Sequence, residues 1–428
     1  MINRHTTRAA AAAMLIVVPA MLAAPRVGKA RAVASSPACA ADNAGLVLPA
    51  GFCAMIVADS LPQPRHPLVM ANGDVLIASA RVGMIALRDT TGDGHPDVVR
   101  QWGGFGGSEV RVRDGFLYGE TKTAILRFPF AAGALEPSGP PDTIVSGLPT
   151  RGHVYKTFVI GNDNTLYVNI GSMTNVCQPT GQQRETPGMD PCTERDTRAG
   201  IWAFRADKTG QHQSDGVHYA SGIRNAVGMA IDPTDGSLWT TQHGRDQLST
   251  NWPAFYDDAK SAETPAEELF HVAKGDDFGW PYCYFDWQLA RKMLAPEYGG
   301  DGKSSGRCAT LRSNVAAFPG HWAPNALVFA ASSSFPAHYR EGVFLAFHGS
   351  WNRAPLPQAG YNVVFQPLHN GRASGPYEVF ANGFAPKPGA SGEIHRPTGL
   401  AFGPDGSLYV ADDAGGRLYR IMYTGRPR

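Results

Sequence analysis

Two adjacent polar residues in the middle of the chain have the chemistry of a binding site. Arg224 and Asn225 follow Ser221-Gly222-Ile223 and directly precede an apolar stretch. A fixed guanidinium beside an amide can bind a carboxylate or polarise a carbonyl oxygen. A structural arginine that donates to loop carbonyls explains the same segment. The sequence leaves both interpretations open.

A glycine turn about twenty residues further on can bind a cation. Gly244 lies in the segment 241–247, at the end of a predicted strand, and is followed by Arg245. Glycine permits backbone angles that turn carbonyl oxygens inward, toward a hard cation such as calcium. An ordinary turn between strands is the competing interpretation.

His153 is the candidate for proton transfer. It lies in the segment 150–156, just before a predicted strand. A neutral imidazole at the mouth of a channel can act as a general base. A single histidine is more often structural or at the surface, so this role needs spatial support.

Two further kinds of segment allow both a functional and a structural interpretation. The turn 89–97 interleaves three aspartates with glycines, as calcium loops do, but it lacks the closing glutamate of an EF-hand. A solvated hairpin turn is favoured there, and calcium stays open. The aromatic segments 278–286 and 348–353 can cover a flat ligand or fill space between sheets.

These residues lie between copies of one repeated phrase. The phrase is an apolar strand, a turn rich in Asp, Asn and Gly, and a strand of the Leu-Tyr-Val type, and it occurs at 67–79, 110–119, 158–168, 228–239 and 399–410, with a looser copy at 326–347. Asp-Gly and Asn-Gly favour tight hairpin turns, and the flanking residues favour strands. Third strands follow at 84–88, 124–128, 200–204 and 417–421. Three or four strands repeated about six times predict an all-β, six-bladed β-propeller rather than a β-sandwich.

Long segments and cysteines complete this prediction. The segments 174–198 and 249–268 are predicted to be loops, which often carry function on a rigid scaffold. The six cysteines fall in three sequential pairs, Cys39 with Cys53, Cys177 with Cys192 and Cys283 with Cys308. Six cysteines allow fifteen pairings, and sequential pairing is favoured because each pair brackets a short loop.

The N-terminus and the charge balance indicate where the protein works. Residues 1–32 read as a signal peptide, with Arg4 and Arg8, a short apolar run and an Ala-x-Ala cleavage site before a propeller domain at 33–428. We therefore expect a periplasmic or secreted protein without a membrane span. Lys plus Arg number 38 against 37 Asp plus Glu, which gives no electrostatic signature of nucleic-acid binding.

The order of the motifs resembles the pyrroloquinoline-quinone-dependent soluble sugar dehydrogenases, most of all the sorbosone and aldose sugar dehydrogenase branch. The resemblance runs from about Leu48 to the C-terminus. It is carried by RNAVGMAI at 224–231, QHGRD at 242–246, DFGWPY at 277–282, HGSWNR at 348–353 and RPTGLAF at 396–402. It implies a six-bladed propeller that holds the quinone (PQQ) and Ca²⁺ at one end of its axis. It also implies oxidation of an aldose or sorbosone-type sugar, with electrons passing to a cytochrome or to the quinone pool.

The resemblance also implies a role for individual residues. His153 matches the general base, which takes a hydroxyl proton while hydride moves to the quinone. Arg224 and Asn225 match the pair beside the quinone, and Gly244 and Arg245 match the turn whose carbonyls bind calcium. The remaining positions that match cofactor-binding residues are Arg353, Arg396 and Thr398.

Departures from that pattern leave alternatives open. Where the glucose enzymes have an aspartate that orients the base, this chain has Gly171 and Ser172, with Asn175 nearby. Thr398 stands in place of a second arginine. An exported propeller that binds a glycan or a protein without catalysis is the main alternative. A metal-dependent lactone hydrolase is a third possibility, which needs inward-facing metal ligands near the axis.

Overall fold

The computed structural model describes residues 38–103, 106–179, 183–330, 333–386, 392 and 394–425. The predicted signal peptide, residues 1–32, and its boundary with the domain 33–428 lie outside these residues and stay predictions. Within the described part of the chain, no helix has the length and hydropathy of a membrane span.

The described strands form six successive four-stranded sheets, numbered from β1 (Phe52–Ala58) along the chain. The first sheet contains β2 (Pro64–Val69), β3 (Val75–Ser79), β4 (Gly83–Arg88) and β5 (Val98–Gly103). The second contains β6 (Val110–Arg113), β7 (Phe116–Glu120), β8 (Ile125–Pro129) and β9 (Asp142–Ser146). The third contains β10 (Phe158–Ile160), β11 (Thr165–Ile170), β12 (Gly200–Arg205) and β14 (Val217–Ser221). The short β13 (Gln211–His212) runs parallel to β9 at the edge of the second sheet.

The second half of the chain repeats this arrangement. The fourth sheet contains β15 (Met229–Ile231), β16 (Leu238–Gln242), β17 (Glu267–Val272) and β20 (Ala316–Phe318), and a separate hairpin is formed by β18 (Cys283–Asp286) and β19 (Arg291–Leu294). The fifth contains β21 (Pro324–Phe329), β22 (Gly342–Phe347), β23 (Asn362–His369) and β25 (Glu378–Ala381), and β24 (Arg372–Ala373) pairs with β23. The sixth contains β26 (Pro397–Phe402), β27 (Leu408–Asp412), β28 (Arg417–Tyr423) and β1.

The six sheets are the blades of a propeller, as predicted. Each repeated phrase of the sequence forms the first two strands of a blade, and each predicted third strand is present. The first strands of neighbouring blades contact one another, so β26 touches both β2 and β21. The ring closes because β1 pairs antiparallel with β28, with Phe52 opposite Tyr423.

Burial between blades explains the composition of the second strands. Every residue of β3, β22 and β27 is buried, which is expected for a strand covered on both faces. An aromatic cluster joins the last two blades, where Phe344 packs 4.8 Å from Phe380 and Phe52 packs 5.0 Å from Phe380, measured between ring centroids. Each buried ring of this kind stabilises the fold by roughly 1.5–3 kcal/mol.

The three predicted disulfides are confirmed, and one loop prediction is wrong. Cys39–Cys53, Cys177–Cys192 and Cys283–Cys308 are bonded. The segment 249–268 is not one loop, because it contains most of helix α1 (Leu248–Asn251), helix α2 (Asp258–Glu263) and the start of β17. Asp257 caps α2 by accepting from the Lys260 N–H, a local signal that reading for strands missed. Short 3-10 turns occur at Asn43–Gly45, Thr193–Asp196, Gln213–Asp215, Pro296–Tyr298, Gly306–Thr310 and Ala337–Tyr339.

The acidic turn 89–97 has a structural use for its carboxylates. Asp89 accepts from the backbone N–H groups of Gly92 and Gly94 at 2.6 and 2.7 Å, and Asp97 accepts from that of Thr90 at 2.7 Å. These hydrogen bonds favour the hairpin interpretation. Calcium binding there stays untested.

Candidate functional site

Blade geometry determines which residues can meet at the axis. Successive strands of a blade are antiparallel, so the start of the first strand and the end of the second lie at the same end of the ring. His153, Arg224 and Arg396 precede the first strands β10, β15 and β26, and Gly244 follows the second strand β16. Residues far apart in the sequence are thereby brought to one end of the central axis.

A cavity at this end gathers four of the predicted residues. It has a volume of about 370 Å³, and its lining includes His153, Arg224, Gly244 and Arg396. The other lining residues had no individual role in the sequence analysis, although six of them belong to its motifs at 242–246 and 348–353. They are His243, Asp246, Glu267, His321, Ala323, Asn325, His348, Gly349, Trp351 and Asn352. The segments that the sequence analysis selected separately therefore belong to one site.

The hydrogen bonds of His153 define its tautomer. Its Nδ1 lies 2.9 Å from the Ser172 carbonyl oxygen and 3.0 Å from Ser172 Oγ, which itself donates to the Thr174 carbonyl. A carbonyl only accepts, so Nδ1 carries the proton and Nε2 keeps its lone pair. Nε2 has no hydrogen-bond partner among the described residues. Burial and the nearby Arg224 charge lower the pKa of His153 to about 3, so the imidazole is neutral at neutral pH.

Ser172 therefore takes the place of the orienting aspartate expected from the resemblance. Its main-chain carbonyl and hydroxyl both face His153, and Ser172 is fully buried. Asn175 has a different task, because its side chain bonds the backbone N–H and C=O of Asp246 at 2.9 Å each. The His153 ring is therefore oriented by hydrogen bonds to uncharged groups.

Arg224 bonds both the Gly244 carbonyl and the Asp246 carboxylate in the cavity. Its Nη1 donates to the Gly244 carbonyl at 2.8 Å, and its Nη2 donates to Asp246 Oδ2 at 2.9 Å. Its buried Nε has no acceptor among the described residues. Burial alone would raise the pKa of Asp246, but the Arg224 charge and further donors lower it well below its usual range. Asp246 is consequently an anion that also accepts from Asn352 Nδ2 at 2.9 Å.

Two carboxylate side chains, those of Asp246 and Glu267, lie at the Gly244 turn. Glu267 Oε2 accepts from the Gly244 N–H at 3.0 Å, and Oε1 accepts from the Ala323 N–H at 3.2 Å. Burial raises the pKa of Glu267 to about 7 against these donors. Among the described residues there is no cluster of three or more His, Cys, Asp or Glu side chains able to hold a metal ion. A cation here would meet the Gly244 carbonyl and the Asp246 carboxylate, which are hard oxygen donors suited to calcium.

Two more imidazoles lie near this turn, and their pKa values are shifted in opposite directions. His243 Nε2 lies 3.2 Å from the Pro324 carbonyl, and burial with the Arg224 charge lowers the pKa of His243 to about 4. Both nitrogens of His321 face acceptors, Asp246 Oδ1 at 3.4 Å and the Ser261 carbonyl at 2.9 Å. Burial opposes the charge on His321, but the bond to Asp246 raises its pKa overall. His321 therefore favours the imidazolium form that balances Asp246.

His348 has a partner of another kind. Its Nε2 donates to Asp413 Oδ1 at 2.7 Å, and Asp413 Oδ2 accepts from Arg65 Nη1 at 2.7 Å. Arg396 supports the same segment, since its Nε donates to the His348 carbonyl at 2.8 Å and its Nη2 to the Gly349 carbonyl at 2.5 Å. Burial lowers the pKa of His348, and the hydrogen bond to Asp413 opposes that effect.

Four predicted site residues do not line the cavity. Asn225 is buried behind it, and its carbonyl accepts from the His243 N–H at 3.0 Å. Thr398 is fully buried behind the lining residue Asn325, whose Nδ2 donates to the Thr398 hydroxyl at 3.2 Å. Arg245 points to buried Glu297 at 2.5 Å. Arg353 donates to the carbonyls of Ala262 and Gly320 and pairs with Glu263. The roles predicted for these four as direct ligands stay predictions.

Strand ends were the signal for the residues that sequence analysis missed. Asp246 follows β16, His348 follows β22, and His321 precedes β21, all of which are positions equivalent to those of the predicted residues. Asp413 follows β27 in the same way. The aromatic segments divide between the two interpretations. Phe278 is buried against Phe270 at 4.0 Å, whereas the Trp351 side chain lines the cavity and the residue is 70% exposed.

The residues of this cavity fit a planar, anionic cofactor with a calcium ion. Its volume lies in the range usual for cofactor sites. Arg224 and Arg396 supply two guanidinium groups, and the free donor at Arg224 Nε lacks an acceptor. The Trp351 indole at the mouth offers an exposed flat face. A cation and an anionic ring system together match the donors and acceptors that are present.

A second cavity is lined by residues from the segments 173–179 and 189–198. Its volume is about 660 Å³, and its lining includes Met173, Asn175, Glu194 and Arg198. Ser172 and Asn175 belong to the same stretch of chain and bond His153 and Asp246, so this segment is directly connected to the site.

The ring and its axial cavity define a class, the six-bladed β-propellers with a polar site at one end of the axis. Within it, a family profile described as TrAA12-like matches residues 46–424, and the chain belongs to this family. The predicted resemblance to quinone-dependent sugar dehydrogenases is thereby confirmed as a family relationship.

Individual similar proteins agree with this assignment. A protein of Hypocrea jecorina (strain QM6a), named pyrroloquinoline quinone-dependent sugar dehydrogenase, is 21% identical over 90% of this chain and 92% of its own length. The holo form of the pyranose dehydrogenase PQQ domain from Coprinopsis cinerea superimposes with a TM-score of 0.71 at 20% identity, covering 91% of this chain and 98% of that one. The calcium structure of Trichoderma reesei Carbohydrate-Active Enzymes Family AA12 gives 0.71 at 18% identity, covering 89% and 97%. At these identities the structures show the fold. The chain spans only part of the length of most curated relatives that it matches. The shares are 92% of the Hypocrea jecorina protein, 59% of a Borreliella burgdorferi protein and 42% of a Coprinopsis cinerea protein.

Proposed function

We propose that this protein is a quinone-dependent sugar dehydrogenase that oxidises an aldose or a sorbosone-type sugar. The observation that carries the proposal is the meeting of His153, Arg224, Gly244 and Arg396 around one cavity. These residues come from the third, fourth and sixth blades, and no local interaction in the sequence would bring them together. The family relationship and the names of the similar proteins support the same activity.

His153 is proposed as the general base. Its Nδ1–H is held by the Ser172 carbonyl, so the lone pair of Nε2 is free to take a proton from a sugar hydroxyl. The low pKa of His153 keeps this lone pair available at neutral pH. An anionic group bound beside Arg224 would offset the guanidinium charge and make the base stronger.

Arg224 and Arg396 are proposed to bind the carboxylates of pyrroloquinoline quinone. Guanidinium groups suit carboxylates because they donate two parallel hydrogen bonds. The carbonyl of Gly244, with the neighbouring turn residue Arg245, is proposed to hold Ca²⁺. When bound, the quinone supplies a two-electron acceptor for hydride. Asn225, Thr398 and Arg353 lie outside the lining, and we propose that they shape the site from behind.

The segment 174–198 is proposed to select the sugar. Its residues within 174–179 and 189–198 line the larger of the two cavities, and the Cys177–Cys192 disulfide joins these two parts. Its polar and aliphatic side chains suit the hydroxyl groups and C–H faces of a sugar. The electron acceptor is proposed to be a cytochrome or a quinone pool.

Export is proposed from two observations. The three disulfides in the described part of the chain favour an oxidising compartment, and residues 1–32 have the pattern of a signal peptide. We therefore propose a periplasmic or secreted location.

A reconstitution assay tests the activity. The purified protein is given pyrroloquinoline quinone and Ca²⁺, separately and together, and the bleaching of an artificial dye is followed with a panel of aldoses. Dye reduction that needs both additions supports the proposal. Quinone that fails to bind at micromolar concentration would favour a propeller that binds a glycan or protein without catalysis.

A further inference from the structure

Two histidines that line the same cavity have different hydrogen-bond partners. His153 is oriented by the neutral carbonyl and hydroxyl of Ser172. His348 is oriented by the carboxylate of Asp413, 2.7 Å from its Nε2. A carboxylate stabilises an imidazolium, whereas a carbonyl mainly sets its orientation.

The surroundings of Asp413 favour its ionised form. Burial would raise the pKa of Asp413, but the bonds from His348 and Arg65 lower it to about 2. The Arg65 guanidinium lies over the ring of Tyr155, two residues from His153, with 4.8 Å between the guanidinium carbon and the ring centroid. Asp413 thus has a fixed cationic neighbour, and its other oxygen is left for His348.

The tautomer of His348 follows from this contact. Because an ionised carboxylate only accepts, the neutral imidazole carries its proton on Nε2 and its lone pair on Nδ1. Nδ1 has no hydrogen-bond partner among the described residues. The other charged or titratable groups that influence His348 are Arg65, Arg396 and His243.

We propose that the His348–Asp413 pair is the proton acceptor that follows His153 during sugar oxidation. This inference rests on the function proposed above. In that reaction a bound quinone would accept the hydrogen of the sugar C–H bond as hydride, with both electrons, and the electron pair of the O–H bond would form the new C=O bond. The O–H bond breaks and its proton goes to Nε2 of His153. That proton then passes to Nδ1 of His348, and from there to solvent. His153 returns to its neutral form, and Asp413 stays ionised throughout.

The physical need for a second group comes from the environment of His153. Burial and the Arg224 charge both disfavour its protonated form, so a proton held there must move on before the next turnover. His348 lines the same cavity and has the carboxylate that His153 lacks. The carboxylate of Asp413 opposes the effect of burial, which lowers the pKa of His348, and among the described residues no carboxylate is hydrogen-bonded to His153.

Two variants test this proposal with the full chain. His348→Gln keeps an N–H donor for Asp413 but cannot hold a proton, and Asp413→Asn keeps the shape of the partner but removes its charge. His338→Gln is the matched control, because His338 forms a comparable pair with Glu378 at 2.8 Å but lies at the surface. Each protein is loaded with pyrroloquinoline quinone and Ca²⁺ and assayed with the best aldose of the panel.

The expected result is a loss of rate without a loss of binding. His348→Gln should lower kcat about 10- to 100-fold, within the range of general acid–base effects, with KM for the sugar and Kd for the quinone changed less than about twofold. Added imidazole buffer should restore part of the rate. In the cofactor-free protein, histidine NMR should show a lower pKa for His348 in Asp413→Asn, since the stabilising anion is gone.

The outcomes separate this proposal from the one on which it rests. A wild-type protein that is inactive with quinone and calcium overturns the proposed function. An active wild type whose His348→Gln variant has the same kcat overturns only the role of His348. An unchanged His348 pKa in Asp413→Asn also overturns it, by a measurement that needs no turnover.

Discussion

Two of the imidazoles that line the cavity, those of His153 and His348, differ in the group to which each is hydrogen-bonded. Behind His153 is Ser172, which offers a backbone carbonyl and a hydroxyl and no charge. Behind His348 is Asp413, a carboxylate that Arg65 holds in place. Both arrangements orient a ring, and the carboxylate adds a negative charge that opposes the lowering of the His348 pKa by burial. The group that is hydrogen-bonded to a histidine therefore influences how readily that histidine holds a proton.

Removal of His153 is the most severe test of this comparison. His153→Ala should reduce turnover about 10²- to 10⁴-fold, because no other group has its position and lone pair. Steady-state kinetics measure the turnover. A quinone titration measures cofactor binding, which should be nearly unchanged. His153→Asn retains a donor for the Ser172 carbonyl and should be as inactive as the alanine variant. An active asparagine variant would mean that orientation, not proton transfer, is the role of this residue.

Arg224 should have the next largest effect. Arg224→Ala removes a guanidinium that bonds Gly244 and Asp246 and lowers the pKa of His153. We expect the quinone Kd to rise about tenfold or more, as is usual for lost charged hydrogen bonds, and kcat to fall. NMR should show a higher His153 pKa. Arg224→Lys keeps the charge without the two-pronged geometry, so it should preserve the His153 pKa while still weakening quinone binding. Unchanged binding and rate in Arg224→Ala would remove Arg224 from the site.

Ser172→Asp should make the two histidines more alike. A carboxylate beside His153 should raise its pKa, so the acidic limb of the pH–rate profile should move to higher pH. Ser172→Ala is the control, because it keeps the backbone carbonyl that receives the Nδ1 proton, and its profile should move little. A profile that is identical in all three proteins would show that the partner of His153 does not set its basicity.

The smallest effect concerns stability in the cofactor-free protein. The folded pKa of His153 is about 3, below its ordinary value of 6.5. Stability from the neutral ring is therefore present above pH 6.5 and is lost as the pH falls toward 3. Between pH 7.5 and pH 5, the free energy of unfolding should therefore fall by about 1–2 kcal/mol less in His153→Asn than in the wild type. Urea unfolding at the two pH values measures the difference, and equal acid sensitivity would contradict the low pKa.

The repeated hairpin phrase was enough to predict the ring, since turn chemistry and strand patterning are local. The meeting of His153, Arg224, Gly244 and Arg396 was also accessible, because all of them lie at equivalent strand ends. The direction in which each side chain points could not be predicted from the sequence. Arg353 bonds carbonyls around helix α2, which the sequence analysis had taken for a loop. Asp413 stayed unnoticed because a single aspartate after a strand has no local signature, and only the ring places it behind His348.

Closure of the ring through β1 and β28 has a consequence for biogenesis. The sixth blade combines residues 52–58 with residues 397–423, so its sheet is complete only when the last strand has left the ribosome. Until then β1 lacks its hydrogen-bonding partner, and an unpaired strand edge can associate with other chains. Arg396 and Asp413 also belong to this late stretch. Closure of the ring and completion of the pocket therefore both depend on strands that are synthesised late.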